Sequence, residues 1–272
     1  MSFTKIHTMW LDAKSPTAPP PSRYNKYLQS WKQMCPTATF EHWNTNDIAA
    51  LIDQNVELQP FLPWFNQLPR LIQKCDIARL MVLWAKGGLY HDLDCMSLKE
   101  LPEYVLKMSA GFVKEPHAST LYLINTFRKT LKAHQTVVWN GLFYSADAKN
   151  PIWLDLIAFL QHEFETSTLK SDVLDTTGPL AVGRFLDSTQ HAFQFIPTCH
   201  VMTHDAFGNE VNCTDGETPW CRTEWDAGTD WNTDLYKKLF IGVALLLFLI
   251  TAFVALVYCS VMMHRCKQVK IK

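Results

Sequence analysis

The sequence predicts an α/β domain with a mainly parallel sheet, followed by one C-terminal transmembrane helix. Over roughly the first hundred residues, short β-prone runs alternate with helical periods, the pattern of successive βα units. Near the other end, the segment from Leu239 to Met263 reads LFIGVALLLFLITAFVALVYCSVMM and carries no charge. It exceeds the ~20 apolar residues needed to cross a bilayer core, and a buried helix of a soluble domain is seldom apolar all round over such a length. A chain of 272 residues then divides into an α/β domain over 1–236, a membrane helix over 237–263 and a short basic tail over 264–272.

The elements follow in order. Lys5-Ile6-His7-Thr8-Met9-Trp10 reads as a short buried strand. The prolines at 16, 19, 20 and 21 exclude helix and central strand from the next stretch. Tyr24, Leu28 and Trp31 recur at helical spacing until Cys35-Pro36 ends the helix. Thr37 to Trp43 is β-prone, and Asn44-Thr45-Asn46-Asp47 supplies caps for a helix through Ile48, Leu51 and Ile52. Leu71, Cys75, Ala78, Val82 and Ala85 fall at i, i+4, i+7, i+11 and i+14, a helix with one buried stripe. Gly87-Gly88 ends it, because glycine accepts the left-handed conformation a helix exit needs.

The chemistry gathers around that turn. Leu89-Tyr90-His91-Asp92-Leu93-Asp94 reads as a strand, in which alternating side chains put Asp92 and Asp94 on one face. Two carboxylates so placed repel unless a cation lies between them, and an all-oxygen site suits Mg²⁺ or Mn²⁺, which also hold phosphates. Asp76 and Arg79 share a face of the preceding helix. They form either a local ion pair worth about 0.2–0.5 kcal/mol or a bidentate grip on sugar hydroxyls. Asp-x-Asp alone is a weak signal. Its place after a helix with Asp and Arg, a Gly-Gly turn and a strand gives it weight. Lys+Arg at 25 against Asp+Glu at 26 leaves no large basic surface for nucleic acid.

The block CDIARLMVLWAKGGLYHDLDC resembles the DXD-containing glycosyltransferases, a family that includes initiating α-mannosyltransferases of yeast type, inositol phosphorylceramide mannosyltransferases and α-1,4-galactosyltransferases. More distantly it is similar to the sugar-transferring domain of large clostridial toxins. Asp76, Arg79, Gly87, Gly88, Tyr90, Asp92 and Asp94 carry the match. Ile6-His7-x-x-Trp10, Trp43, Asn140-Gly141 and Thr177-Gly178-Pro179 extend the likeness over residues 5 to 185. Cys75 stands where the family has Ser, His91 where it has a small or apolar residue, and the proline that opens the first strand is missing.

The resemblance implies a GT-A-type, Rossmann-like nucleotide-sugar-binding domain and a retaining hexosyltransferase that is mannosyltransferase-like. The donor would be a GDP- or UDP-hexose carrying mannose, galactose or glucose, and the acceptor a lipid or glycan. Asp94 would hold Mn²⁺ (or Mg²⁺), with Asp92 binding it directly or through water. Asp76 and Arg79 would orient the sugar, Trp10 would stack on the base, Tyr90 would line the donor site, and Asn140 would touch sugar or acceptor. Trp225, Asp230 and Trp231 are candidates for a loop closing over the diphosphate. Two other classes share the Asp-x-Asp signal: a phosphatase with an aspartate nucleophile, and a membrane-anchored carbohydrate-binding protein with a dead transferase fold.

The expected setting is a Golgi or ER membrane. Arg265, Lys267, Lys270 and Lys272 follow the span, while only Lys237 and Lys238 precede it, which favours a lumenal domain. Against this, the start MSFTKIHTMWLD has no charged stretch leading into an apolar one. A Cys213–Cys221 bridge and the sequon Asn212-Cys213-Thr214 would suit the lumen.

Overall fold

The computed structural model describes residues 4–114, 136–201, 213, 215–223, 242 and 251. The chain divides into two compact units, Met1–Glu224 and Trp225–Lys272. Of the second, only Gly242 and Thr251, both helical, are described. Among the described residues no helix is long and apolar enough to cross a membrane. The run from Leu239 to Met263 otherwise lies outside the described residues, as do Trp225, Asp230 and Trp231.

The first unit opens with β1 (Lys5–Met9), α1 (Asn25–Met34), β2 (Thr39–Trp43), α2 (Thr45–Gln54), α3 (Leu62–Gln67) and α4 (Leu71–Lys86). Next come β3 (Gly88–His91), β4 (Cys95–Ser97), α5 (Glu103–Leu106), β5 (Ala110–Lys114) and β6 (Val138–Ser145). The last described elements are α6 (Pro151–Thr166), α7 (Val173–Thr176), α8 (Pro179–Ser188), β7 (Gln194–Ile196) and β8 (Cys221–Thr223). Six strands form one sheet in the order β2-β1-β3-β6-β5-β7, and β4 pairs with β8 in a small separate ribbon. β1 is parallel to β2 and β3, and β5 to β7, while β6 runs against both of its neighbours. The mainly parallel sheet is therefore as expected, with β6 as its reversed strand.

The pleat sends successive side chains to opposite faces, and both faces are covered. Tyr90, Phe112 and Phe143 enter a core with α4, α6 and α8. Their neighbours Leu89, Val113, Leu142 and Tyr144 enter a second core with Trp31, Trp139 and Trp220. The α2 start carries the anticipated cap: Asn46 and Asp47 amides donate to Asn44 Oδ1, and the Asn44 amide donates to Asp47.

α4 departs from the expectation of one buried stripe. It is buried on every side from Asp76 to Trp84, whereas Leu71, at the head of the presumed stripe, is 44 % exposed. The cause is position: α4 lies against the sheet while α2 and α6 flank it. Its exit is set by glycine. Gly87 (φ 65°, ψ −168°) adopts a backbone region essentially closed to other residues, and Gly88 (φ 94°) passes so near β1 that an added Cβ would lie 2.4 Å from the Lys5 carbonyl oxygen. His7 locks the same corner, its Nε2 2.8 Å from the Gly87 oxygen. Gly88→Ala should therefore cost about 3 kcal/mol or more, read as a lowered Tm. An unchanged Tm would mean that the corner relaxes freely.

Candidate active site

The site begins where α4 passes the end of β3. Asp76 and Arg79 lie on one face of α4, 4 % and 2 % exposed. Arg79 Nη2 sits 3.2 Å from Asp76 Oδ1, and Nη1 sits 3.3 Å from Asp92 Oδ1. Nη1 also donates to the Asn140 carbonyl and Nε to the Cys75 carbonyl. The Tyr90 ring lies beside the guanidinium, 5.1 Å from its carbon, and the Tyr90 hydroxyl donates to Asp92 Oδ1 at 2.9 Å. This is no surface pair worth a few tenths of a kcal/mol. Removing either member would strand a buried charge, which typically costs about 3–5 kcal/mol.

Asp92, Leu93 and Asp94 do not continue the strand, as the sequence suggested. β3 ends at His91, and the three residues form a turn closed by the Cys95 amide donating to the Asp92 carbonyl at 3.0 Å. The reason is the partner strand. β6 carries extra residues between Trp139 and Phe143, which face Val113 and Phe112 of β5. At that irregularity the Gly141 carbonyl takes the Asp92 amide at 2.8 Å. In the turn Leu93 is buried in a cluster with Tyr24 and Tyr27, while Asp92 and Asp94 remain half-buried. Trp10, half-buried just after β1, packs against the same cluster, 6.1 Å from the Tyr24 ring centre.

α1 braces the turn from behind. The Trp31 ring stacks on His91 at 4.3 Å, and its Nε1 donates to the Cys95 carbonyl at 2.9 Å. His91 Nδ1 lies 2.8 Å from the Asp92 carbonyl. Burial pushes the imidazole down to about 4, so it stays neutral and packs as a flat partner for Trp31. Position 91, where the resemblance would put a small or apolar residue, thus has a local use for a flat ring.

Two further segments complete the floor. Asn140 lies on strand β6; its Nδ2 donates to Asp76 Oδ1 at 3.4 Å, and its buried Oδ1 has no hydrogen-bond partner among the described residues. Thr177, between α7 and α8 and 1 % exposed, donates its hydroxyl to Asp76 Oδ2 at 2.9 Å. Gln73 Nε2 donates to Thr176 Oγ1 at 2.8 Å, tying the start of α4 to the same loop. Thr177 was visible only as part of a Thr-Gly-Pro string, and no periodicity marked Gln73 as polar and buried. The tighter motif residues thus converge, and Tyr90 contributes by holding Asp92.

Burial pushes the Asp76 carboxyl up to about 6, against the opposing pull of Arg79 and of the Thr177 hydroxyl. Arg79 is desolvated too, yet the negative charge of Asp92 keeps it charged at every ordinary pH. Burial also pushes the Cys75 thiol up to about 12, so it remains a thiol.

The family described as "Glycosyltransferase sugar-binding region containing DXD motif" matches residues 21–111. Those residues are similar to the sugar-binding region of DXD-type glycosyltransferases. The DXD region is 33 % identical over 88 residues to the initiation-specific alpha-1,6-mannosyltransferase of Candida albicans, covering 31 % of this chain and 22 % of that protein. It is 32 % identical over 92 residues to inositol phosphoceramide mannosyltransferase 1 of Schizosaccharomyces pombe, covering 33 % and 27 %. The likeness thus spans about a quarter of these relatives' own length. Among solved structures, PaToxG Glycosyltransferase aligns with a TM-score of 0.47 at 15 % identity, over 68 % of each chain. Mouse xyloside xylosyltransferase 1 aligns at 0.46 and 12 %, over 83 % of this chain and 99 % of that one. Trp10, Asn140 and Thr177 lie outside the matched DXD region, and Asn140 and Thr177 join it through contacts alone.

The electrostatics predict a measurable titration. Because the folded protein holds the Asp76 proton more tightly than the unfolded chain does, Asp76 favours folding at acid pH. That contribution is lost as pH rises through about 6. Carboxyl NMR of the metal-free protein should show Asp76 titrating near 6, and Thr177→Val should raise the value by removing the donor at Oδ2. An Asp76 that titrates at the ordinary aspartate value would contradict the buried geometry.

Proposed function

We propose that this chain is a metal-dependent, retaining glycosyltransferase that moves a hexose from a nucleotide-sugar to a lipid or glycan acceptor beside a membrane. The observation that carries the reading is the floor described above. Arg79 is fixed between a helix carboxylate and a turn carboxylate, and the buried Asn140 Oδ1 beside it has no donor among the described residues. A buried acceptor without a partner is costly unless a ligand supplies the donor, and a sugar hydroxyl is such a donor.

The donor set fits a hard divalent cation. Asp92 and Asp94 share one turn, both half-buried, with Leu93 turned inward between them. Arg79 and Tyr90 engage Asp92 Oδ1, so Oδ2 is the oxygen a cation would take. Asp94 is the direct ligand in this reading. When bound, Mn²⁺ or Mg²⁺ neutralises the charge that develops on the departing diphosphate. The protein's part is positioning. Arg79 holds Asp92 in place before donor arrives. Asp76 and Asn140 Oδ1 accept hydroxyl protons of the sugar. Trp10, beside the Leu93 cluster, offers the face on which the base stacks. Residues 237–263 anchor the enzyme, with the 1–236 domain on the lumenal side of a Golgi or ER membrane.

Asp94→Asn tests the metal site, because the amide lacks the negative charge a hard cation requires of its ligand. Mn²⁺-dependent hydrolysis of GDP- or UDP-hexose should fall by at least about a hundredfold in kcat/KM, or roughly 2.7 kcal/mol, with the metal-free Tm unchanged or higher. A variant that melts lower yet still turns over donor with Mn²⁺ would overturn the reading. Arg79→Lys should lose most turnover as well and also melt lower, since an ammonium cannot reach the four acceptors the planar fork holds. Near-normal turnover in that variant would reduce Arg79 to a structural ion pair.

A further inference from the structure

A second group of ligating side chains lies after β7, apart from the DXD turn. Cys199 and Cys213 are disulfide-bonded, with Cα atoms 5.2 Å apart. The possible bridge between Cys213 and Cys221 does not form. Cys221 is instead a buried free thiol on β8, where its strand pairs with β4. The observed bridge has company that a disulfide does not need. His200 and Asp215 each place a ligating atom so that these atoms and both sulfurs all lie within 4.8 Å of one another.

The imidazole is 5 % exposed and held at both nitrogens. Its Nε2 lies 3.0 Å from Asp215 Oδ2, and its Nδ1 lies 2.8 Å from the Tyr104 hydroxyl, which also accepts from Trp220 Nε1 at 3.1 Å. A histidine fixed through one nitrogen by a hydroxyl, with the other against a carboxylate and two sulfurs close by, has the arrangement of a metal ligand with its outer support.

We propose that, once the Cys199–Cys213 disulfide is reduced, Cys199, His200, Cys213 and Asp215 bind a zinc ion. Two thiolates, an imidazole and a carboxylate form a tetrahedral zinc set. They differ in kind from the oxygen-only DXD turn, which selects Mg²⁺ or Mn²⁺. The 3.0 Å between Nε2 and Oδ2 is close to the edge, about 3.3 Å, of a tetrahedron with zinc–ligand distances near 2.0 Å. Opening the bridge takes two electrons and two protons, delivered by two equivalents of a thiol that leave as their own disulfide. Zinc then displaces those two protons to solvent as it takes the thiolates.

Either linkage clips the same piece of backbone. The Trp220 amide donates to the His200 carbonyl at 3.0 Å, and the Trp220 carbonyl accepts from Leu98 and Lys99 just beyond β4. The clip therefore fastens β8 to the ribbon that leaves Asp94. Disulfide in an oxidising compartment and zinc in a reducing one would serve the same fold.

The test uses the full-length protein, reduced with a phosphine, desalted and loaded with Co²⁺ or Zn²⁺. The reduced protein should show a thiolate-to-cobalt charge-transfer band, retain about one zinc per chain after desalting, and melt higher with zinc than without. The oxidised protein should show no such band. Asp215→Ala, at an exposed position, should keep the oxidised Tm while weakening zinc binding by about tenfold or more, and Cys213→Ser should abolish the band. A folded, reduced protein with no thiolate band, or zinc binding that survives Cys213→Ser, overturns the proposal. Because an oxygen-only site gives no thiolate band, that failure would leave the transferase reading untouched.

Discussion

A guanidinium withdrawn from water must find acceptors for its N–H groups, and the interior around Arg79 is arranged to provide them. Two carboxylates and two backbone carbonyls, drawn from α4, the turn after β3 and β6, meet at this one cation. Each of these elements has its own reasons to fold, but their relative placement at the site depends on that shared charge. Asp92 is held by Arg79 and Tyr90, so the turn proposed to take a cation is fixed by the protein's own groups. The cost appears at Asp76, whose proton is held up to about 6 by burial. A carboxylate kept ionised in the interior stores unfavourable energy, which the hydroxyl groups of the proposed sugar would relieve.

Much of this was legible in the sequence because glycine and charge are local signals. Gly87-Gly88 announced a helix exit, and the structure needs glycine there for a definite reason: a side chain at 88 would strike the backbone of β1. Asn44 and Asp47 announced the start of α2 through their capping chemistry. The single buried stripe of α4 was misleading because periodicity reports only which positions are apolar. A helix packed on all sides hides polar residues as well, and Asp76 and Arg79 are among them.

What the sequence could not show depends on partners distant in the chain. The Asp92–Asp94 turn follows from the irregularity in β6, some fifty residues later, and no local pattern in Leu89–Asp94 distinguishes it from a continued strand. No local pattern ties Asn140 to Asp76 and Arg79; only its bonds to both give it a place in the site. Thr177 reaches Asp76 across about a hundred residues of chain. The cysteines likewise left a Cys213–Cys221 bridge open, whereas the β4–β8 pairing carries Cys221 away and leaves Cys213 to Cys199.

The central claim is that the Asp92–Asp94 turn and the Asp76–Arg79–Asn140 floor hold, respectively, the metal-bound diphosphate and the hexose of one donor. The measurement that tests it most directly is a crystal structure with Mn²⁺ and a nucleoside-diphosphate hexose, the metal located by its anomalous scattering. Manganese is expected on the carboxylates of Asp92 and Asp94, and sugar hydroxyls in contact with Asp76 and with Asn140 Oδ1. Manganese elsewhere, or a donor whose sugar makes no contact with that floor, would contradict it.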